Sequence, residues 1–168
     1  MSSSALRHAL AILALPFTVA VLVPIWIARR FAVSAAFPDS FLGSLGVAMG
    51  LAALGVGVTL FAASLRRFAG EGEGTLAPWD PPRALVVRGP YRYVRNPMIS
   101  GVIGVLVGEA LVLRSVPHLV WALFFTVLNL VYIPLVEEPQ LERRFGDTYR
   151  HYCANVPRVV PRATPWDG

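Results

Sequence analysis

Lysine is absent from this chain, and all fifteen basic residues are arginine. Charge of either sign is scarce: 15% of the 168 residues are charged, against about one quarter in soluble domains. Hydrophobic residues make up 55% of the sequence, and the mean hydropathy is +0.59. This composition argues against a water-soluble globular domain and for an integral membrane protein, with a length suited to one domain. There is one cysteine, Cys153, which excludes an internal disulfide and a multi-cysteine metal site. The net charge of +5 does not point to nucleic acid. The arginines stand at the ends of apolar runs, where anionic lipid headgroups or an anionic ligand fit better. The GEGEG run at 70–74 is followed by no GK[ST], and its glutamates would repel phosphate, so it is not a phosphate cradle.

What the chain does have is long apolar segments. Ala9 to Ala28 is continuous enough to cross a bilayer at ~1.5 Å per residue, with Pro16 and Pro24 expected to bend it. A cleaved signal peptide is the competing reading. Arg29-Arg30, standing before the small residues Ala35-Ala36, favour a retained helix. Ser40 is a plausible N-cap for a second span, Phe41 to Leu65, which Arg66-Arg67 end. Its Gly46 and Gly50 have the GxxxG spacing that lets helix backbones approach closely, expected here as packing within the chain rather than a dimer seam. Residues 69–82 alternate glycine, proline and charge and read as a surface loop, with Leu76 and Trp79 able to dip into the membrane interface. Met98 to Leu113 is a short third segment that repeats the spacing at Gly104 and Gly108. Its Glu109 is the one acid within an apolar run, read as reaching an arginine near Arg114 rather than as functional. The turn at 114–117 makes this segment and Leu119 to Val136 an antiparallel hairpin. His118 is expected at the interface, and Pro134 is expected to kink the fourth span before Glu137-Glu138. Glu137 to Ala154 then reads as one amphipathic helix, with Leu141, Phe145 and Tyr149 recurring every four residues. The tail from Val156 is proline-rich and extended. The expected fold class is all-α integral membrane, with four transmembrane helices plus a C-terminal cytosolic amphipathic helix. It forms one domain over 1–168: two spans (1–68), a cytosolic cofactor loop (69–97), a helical hairpin (98–136) and a C-terminal helix and tail (137–168).

Arginine placement orients the chain. With both termini cytosolic, Arg7, the six arginines from Arg66 to Arg95 and the five from Arg143 to Arg162 lie inside, and only Arg29, Arg30 and Arg114 lie outside. The positive-inside rule prefers this arrangement. Two polar clusters, 83–97 and 137–152, then share one membrane face. The first carries Arg83, Arg88, Arg92, Arg95, Tyr91, Tyr93 and the turns Gly89-Pro90 and Asn96-Pro97. It is either a basic interface anchor or half of a site for a small charged molecule. Arginines can pair with a carboxylate, the tyrosine rings can meet a flat base or a cation, and the two glutamates can hold an ammonium. S-adenosylmethionine carries all of these groups.

GPYRYVRNPM, followed by EEPQLERRFGDTYRHYCANVPRVVP, resembles the isoprenylcysteine carboxyl methyltransferase and phospholipid methyltransferase family. The resemblance lies in Gly89, Tyr91, Arg95-Asn96-Pro97, Glu137-Glu138, Leu141, Phe145-Gly146, Tyr149, Tyr152 and Val156-Pro157, and it covers 83–161. It implies an S-adenosylmethionine cofactor held at the cytosolic face. Arg83, Ala84, Leu85 and Val86 would line it and Tyr91 would pack near it, with Asn96, Pro97, Met98 and Ile99 beside it. Glu137 would bind the methionine amino group, with Glu138 second to it. Arg95 and Glu137 are the candidate catalytic residues, and no metal is implied. A lipophilic small-molecule substrate would enter from the bilayer, and a bacterial inner membrane would be the location. Asn96 replaces the family's histidine and cannot titrate as a base. Ile99 replaces a tyrosine, and Ile133 stands where the prenylcysteine enzymes carry an arginine. The implied reaction is in-line displacement at the sulfonium, aided mainly by positioning and exclusion of water, with cation–π attraction from Tyr91 or Tyr93. The rival readings are a non-enzymatic membrane scaffold or transporter component, and a diverged membrane reductase using a nicotinamide cofactor. No glycine pattern beside a strand favours the latter.

Overall fold

The computed structural model describes residues 13–34, 38, 40–71 and 84–167. Among these residues all regular structure is helical. Helix α1 begins as a π-wound segment, Leu13–Leu22, with Pro16 inside it, and continues as the α-helical Val23–Arg30. Helix α2 is Phe41–Glu71, α3 is Pro97–Val112, α4 is Val116–Phe145 and α5 is Asp147–Asn155. Among the described residues two helices, α2 and α4, are long and apolar enough to cross a membrane, while α3 is a shorter apolar helix. The expected start of the first span, Ala9 to Ile12, lies outside the described residues.

The apolar residues of α2 and α4 are on the outside. Only 11% of the most apolar stretch of α2 and 17% of that of α4 is buried. Leu42, Met49 and Val56 on α2, and Val120, Leu123, Phe124, Val127 and Leu135 on α4, all face outward. A core helix of a soluble protein would bury these side chains; a helix in lipid has no reason to.

Small residues decide how α2 and α3 meet. A Cβ on Gly57 would stand 2.7 Å from the Gly101 carbonyl oxygen and 2.7 Å from the Val105 nitrogen, both backbone atoms. Gly50 and Gly108 face each other with similarly little room. This is the close approach that the glycine spacing predicts, within one chain as expected, but with a shifted seam. On α2 it runs through Gly50 and Gly57, while a Cβ on Gly46 would meet nothing within 4 Å. We expect Gly57→Ala to lower the thermal unfolding temperature in detergent. Gly46→Ala should be neutral or stabilising by up to about 1 kcal/mol. Equal effects would place the seam elsewhere.

Other expectations are corrected by packing. Ser40 caps α2 as expected, accepting from the Gly43 N–H at 3.1 Å. The helix runs past Arg66-Arg67 for another turn, to Glu71. His118 is not interfacial. It is buried, with Nδ1 2.8 Å from Ser115 Oγ and Nε2 3.2 Å from the Pro24 carbonyl, and so ties α4 to α1. Glu109 has one carboxylate oxygen buried without a hydrogen-bond partner among the described residues. At Pro134, where a kink was expected, the winding of the helix changes. The helix widens to π-winding over Ile133–Glu137 and carries on to Phe145, because inserting one residue removes the clash and the missing N–H bond that a proline imposes. The single amphipathic helix expected over 137–154 is therefore two pieces. The first continues α4. The second, α5, starts after Gly146, whose φ of +54° breaks the helix. The C-terminal helix is thus α5 alone.

Candidate functional site

The loop 84–97 is held between α5 and the tail. Leu85 and Val87 pack on a cluster of Tyr149, Tyr152 and Val156. The Tyr152 hydroxyl donates to the Tyr91 carbonyl at 2.7 Å. The tail, expected only to be extended, runs along this loop. The Arg95 N–H donates to the Pro157 carbonyl, Arg162 N–H to Tyr93 and Trp166 N–H to Arg92, each at 3.0 Å. Such contacts satisfy the polar backbone of a loop that has no regular partner.

Two adjacent acids have different surroundings. Glu138 is enclosed by arginines. Arg158 grips it with Nε at 2.8 Å and Nη2 at 2.5 Å, and Arg95 Nη1 donates at 2.9 Å. The Glu138 and Arg95 side chains are 13% and 14% exposed. Arg95 Nη1 also lies 3.1 Å from Cys153 Sγ, while its Nε is buried with no acceptor among the described residues. Bonding to Glu138 holds the Arg158 guanidinium above its ordinary range. Glu137, one residue past the apolar run, makes no ion pair or side-chain hydrogen bond among the described residues. Burial, reinforced by the charge of Glu138, pushes its carboxyl up to about 7.

Tyr91 is buried, and that burial raises its phenol above the usual range, with Tyr152 and Glu137 adding to the effect. The charge of Glu137 thus acts on the Tyr91 phenol. Burial likewise raises Tyr149 and Tyr152. All three stay protonated at neutral pH, and none can act as a general base there.

The other anticipated residues fall around this centre. Val86 and Pro97 are buried, and Ala84, Leu85, Asn96, Met98 and Ile99 are half-buried. Arg83 lies outside the described residues, as do Leu76 and Trp79. Asn96 heads α3 without a side-chain capping bond, and its carbonyl accepts from Ser100 N–H and Oγ at 3.1 Å each. Tyr93 is exposed, unlike Tyr91. Arg158 was missed from sequence, because the tail looked unattached. The available signal was an arginine placed directly after Val156-Pro157, although its partner Glu138 stands 20 residues upstream.

Among the described residues the site has an acid that meets no cation and, on Arg95, a buried donor that meets no acceptor. Together these complement the ammonium and carboxylate of an amino-acid moiety, so the residues present fit the S-adenosylmethionine that the resemblance implies. The fold defines a helical protein with two helices apolar enough to cross a membrane, whose polar loop, acidic pair and tail converge. The chain belongs to the phospholipid methyltransferase family, whose model matches residues 45–148. The match reaches into α2, further upstream than the motif resemblance, and stops within α5. The chain is similar to phosphatidylethanolamine N-methyltransferase 1 of Vanderwaltozyma polyspora, at 32% identity over 80 residues, 47% of this chain and 10% of that protein. It thus spans only a small part of that relative's length. No solved structure matches. Phospholipid N-methyltransferases use S-adenosylmethionine as the methyl donor.

Proposed function

We propose that this protein is an integral membrane methyltransferase that uses S-adenosylmethionine and acts on a lipophilic, membrane-embedded acceptor. The carrying observation is the contrast between Glu137 and Glu138. A pair of acids that merely anchored a tail would both be bound, whereas one is fully engaged and its neighbour meets no cation among the described residues. Bound S-adenosylmethionine supplies an electrophilic sulfonium methyl. Glu137 holds the ammonium, and Arg95 Nε is the donor available to an acceptor on the ligand. Val86 and Tyr91 give the site an apolar, water-poor wall. The acceptor, an amine, thiolate or carboxylate, reacts in its already reactive form, consistent with tyrosines that stay protonated and with Asn96 in place of a histidine. Ile133 is buried within the π-wound turn and offers no cation for an acceptor carboxylate, which disfavours a prenylcysteine substrate. The outward apolar faces of α2 and α4 support membrane insertion, and the arginine distribution supports a cytosolic site with both termini on that side.

Calorimetry with S-adenosylhomocysteine on detergent-purified protein tests the reading. Micromolar binding is expected, and its absence in well-folded protein would sink the proposal in favour of a scaffold. Affinity should also depend on pH. The ionised form of Glu137 binds an ammonium, and its carboxyl in the free protein titrates at about 7. Affinity should therefore be flat above that pH and fall by up to about tenfold per unit below it. A profile flat down to pH 5 would remove Glu137 from the contact.

A further inference from the structure

A second charged feature lies beside this site and shares none of its proposed ligand contacts. A cleft of about 640 Å³ is lined by Arg67, Val87, Arg88, Gly89, Arg92, Trp166 and Asp167. It is built by the turn at Gly89. The φ of +57° there suits glycine, and a Cβ would stand 3.2 Å from Arg67 Cγ. The absent side chain lets the Arg67 stem cross the turn beside Arg88. Arg67 and Arg88 share one acid, Glu71, at 3.2 and 3.9 Å. Arg92 donates to the Trp166 carbonyl at 2.7 Å and pairs with Asp167. Among the described residues three guanidinium groups thus meet two carboxylates, leaving positive charge in excess. The acid on Arg92 is the side chain of Asp167, itself 85% exposed, so an anion from outside can replace it.

Position identifies the anion. Arg67 lies two residues beyond the apolar run that ends at Leu65. That run of 25 residues from Phe41, rising ~1.5 Å per residue, exceeds the ~30 Å hydrocarbon core. Arg67 therefore stands at headgroup level. Trp166, in the same cleft, is a residue type favoured at that depth. Guanidinium forks match phosphate oxygens in bidentate fashion.

We propose that this cleft binds the phosphate of an anionic phospholipid headgroup, with Asp167 as an intramolecular occupant that the headgroup displaces. The inference rests on the membrane placement proposed above and not on methyl transfer.

The test is calorimetry of the full chain in detergent with short-chain phosphatidylglycerol, with short-chain phosphatidylcholine and with inorganic phosphate. Saturable binding of phosphatidylglycerol is expected, and little of the other two. Arg67→Gln with Arg88→Gln should weaken it about tenfold or more, the scale of one lost charged hydrogen bond. Asp167→Asn should tighten it several-fold by removing the competitor. Binding of S-adenosylhomocysteine should be unchanged in every variant, so failure of the cleft and failure of the cofactor site are told apart. Equal binding of both lipids, or indifference to the arginine substitutions, overturns the site. Inorganic phosphate binding as tightly as phosphatidylglycerol overturns the lipid as its source.

Discussion

Glu137→Ala is expected to reduce S-adenosylhomocysteine affinity about 100-fold while the protein stays folded. Removing one side of a desolvated charged contact costs about 2–5 kcal/mol, and about 2.7 kcal/mol corresponds to 100-fold. The effect should fall on binding alone, because Glu137 bonds to nothing else among the described residues. The sign of its titration adds a second expectation. Its carboxyl is raised to about 7 by burial and by Glu138. The folded state therefore keeps a proton that the unfolded chain releases at lower pH, and stability declines as pH rises through that window. Glu137→Gln removes a charge that burial disfavours and should be at least as stable as the wild type at pH 8. Binding lost together with stability in both variants would mark Glu137 as a structural acid and undo the functional reading.

Glu138→Ala should do the opposite, lowering stability by about 3 kcal/mol. It leaves Arg95 buried and Arg158 without its fork partner, and breaking a buried pair on one side costs about 3–5 kcal/mol. The lower end applies because the Arg158 side chain is 38% exposed and water can partly replace the carboxylate. The loss should extend to the loop–tail contact, since Arg95 also donates through its backbone to Pro157. Chemical denaturation of the Glu137 and Glu138 variants side by side checks this. Equal stability of the two would mean that the Arg95–Glu138–Arg158 cluster does not hold the loop to the tail. Arg95 thus acts as a positioning residue through Glu138.

The apolar segments were legible because hydropathy is a local property, but α2 and α4 run on past their expected ends, to Glu71 and Phe145. The hairpin between α3 and α4 was legible because two or three residues cannot connect anything but neighbours. The fate of Pro134 was not, since a proline can end, kink or widen a helix depending on what surrounds it. The seam on α2 was also ambiguous. Gly46, Gly50, Gly55 and Gly57 offer several spacings, and only contact with Gly101, Gly104 and Gly108 selects Gly50 and Gly57.

For the site, the even number of apolar runs between the two polar clusters led to the expectation that they share one face, and the Arg95–Glu138 ion pair brings them together. The sequence by itself determined that an acidic pair follows the last run, and its motif pointed to the family that the comparison then matched. Only the tertiary structure decided which acid is available. Glu137 and Glu138 are adjacent and identical in type. They differ because the winding of α4 turns Glu138 toward Arg95 and Arg158, while Glu137 meets no cation among the described residues. Arg158 stands on a tail that reaches the site through three backbone hydrogen bonds, contacts between residues far apart in sequence that no local pattern records.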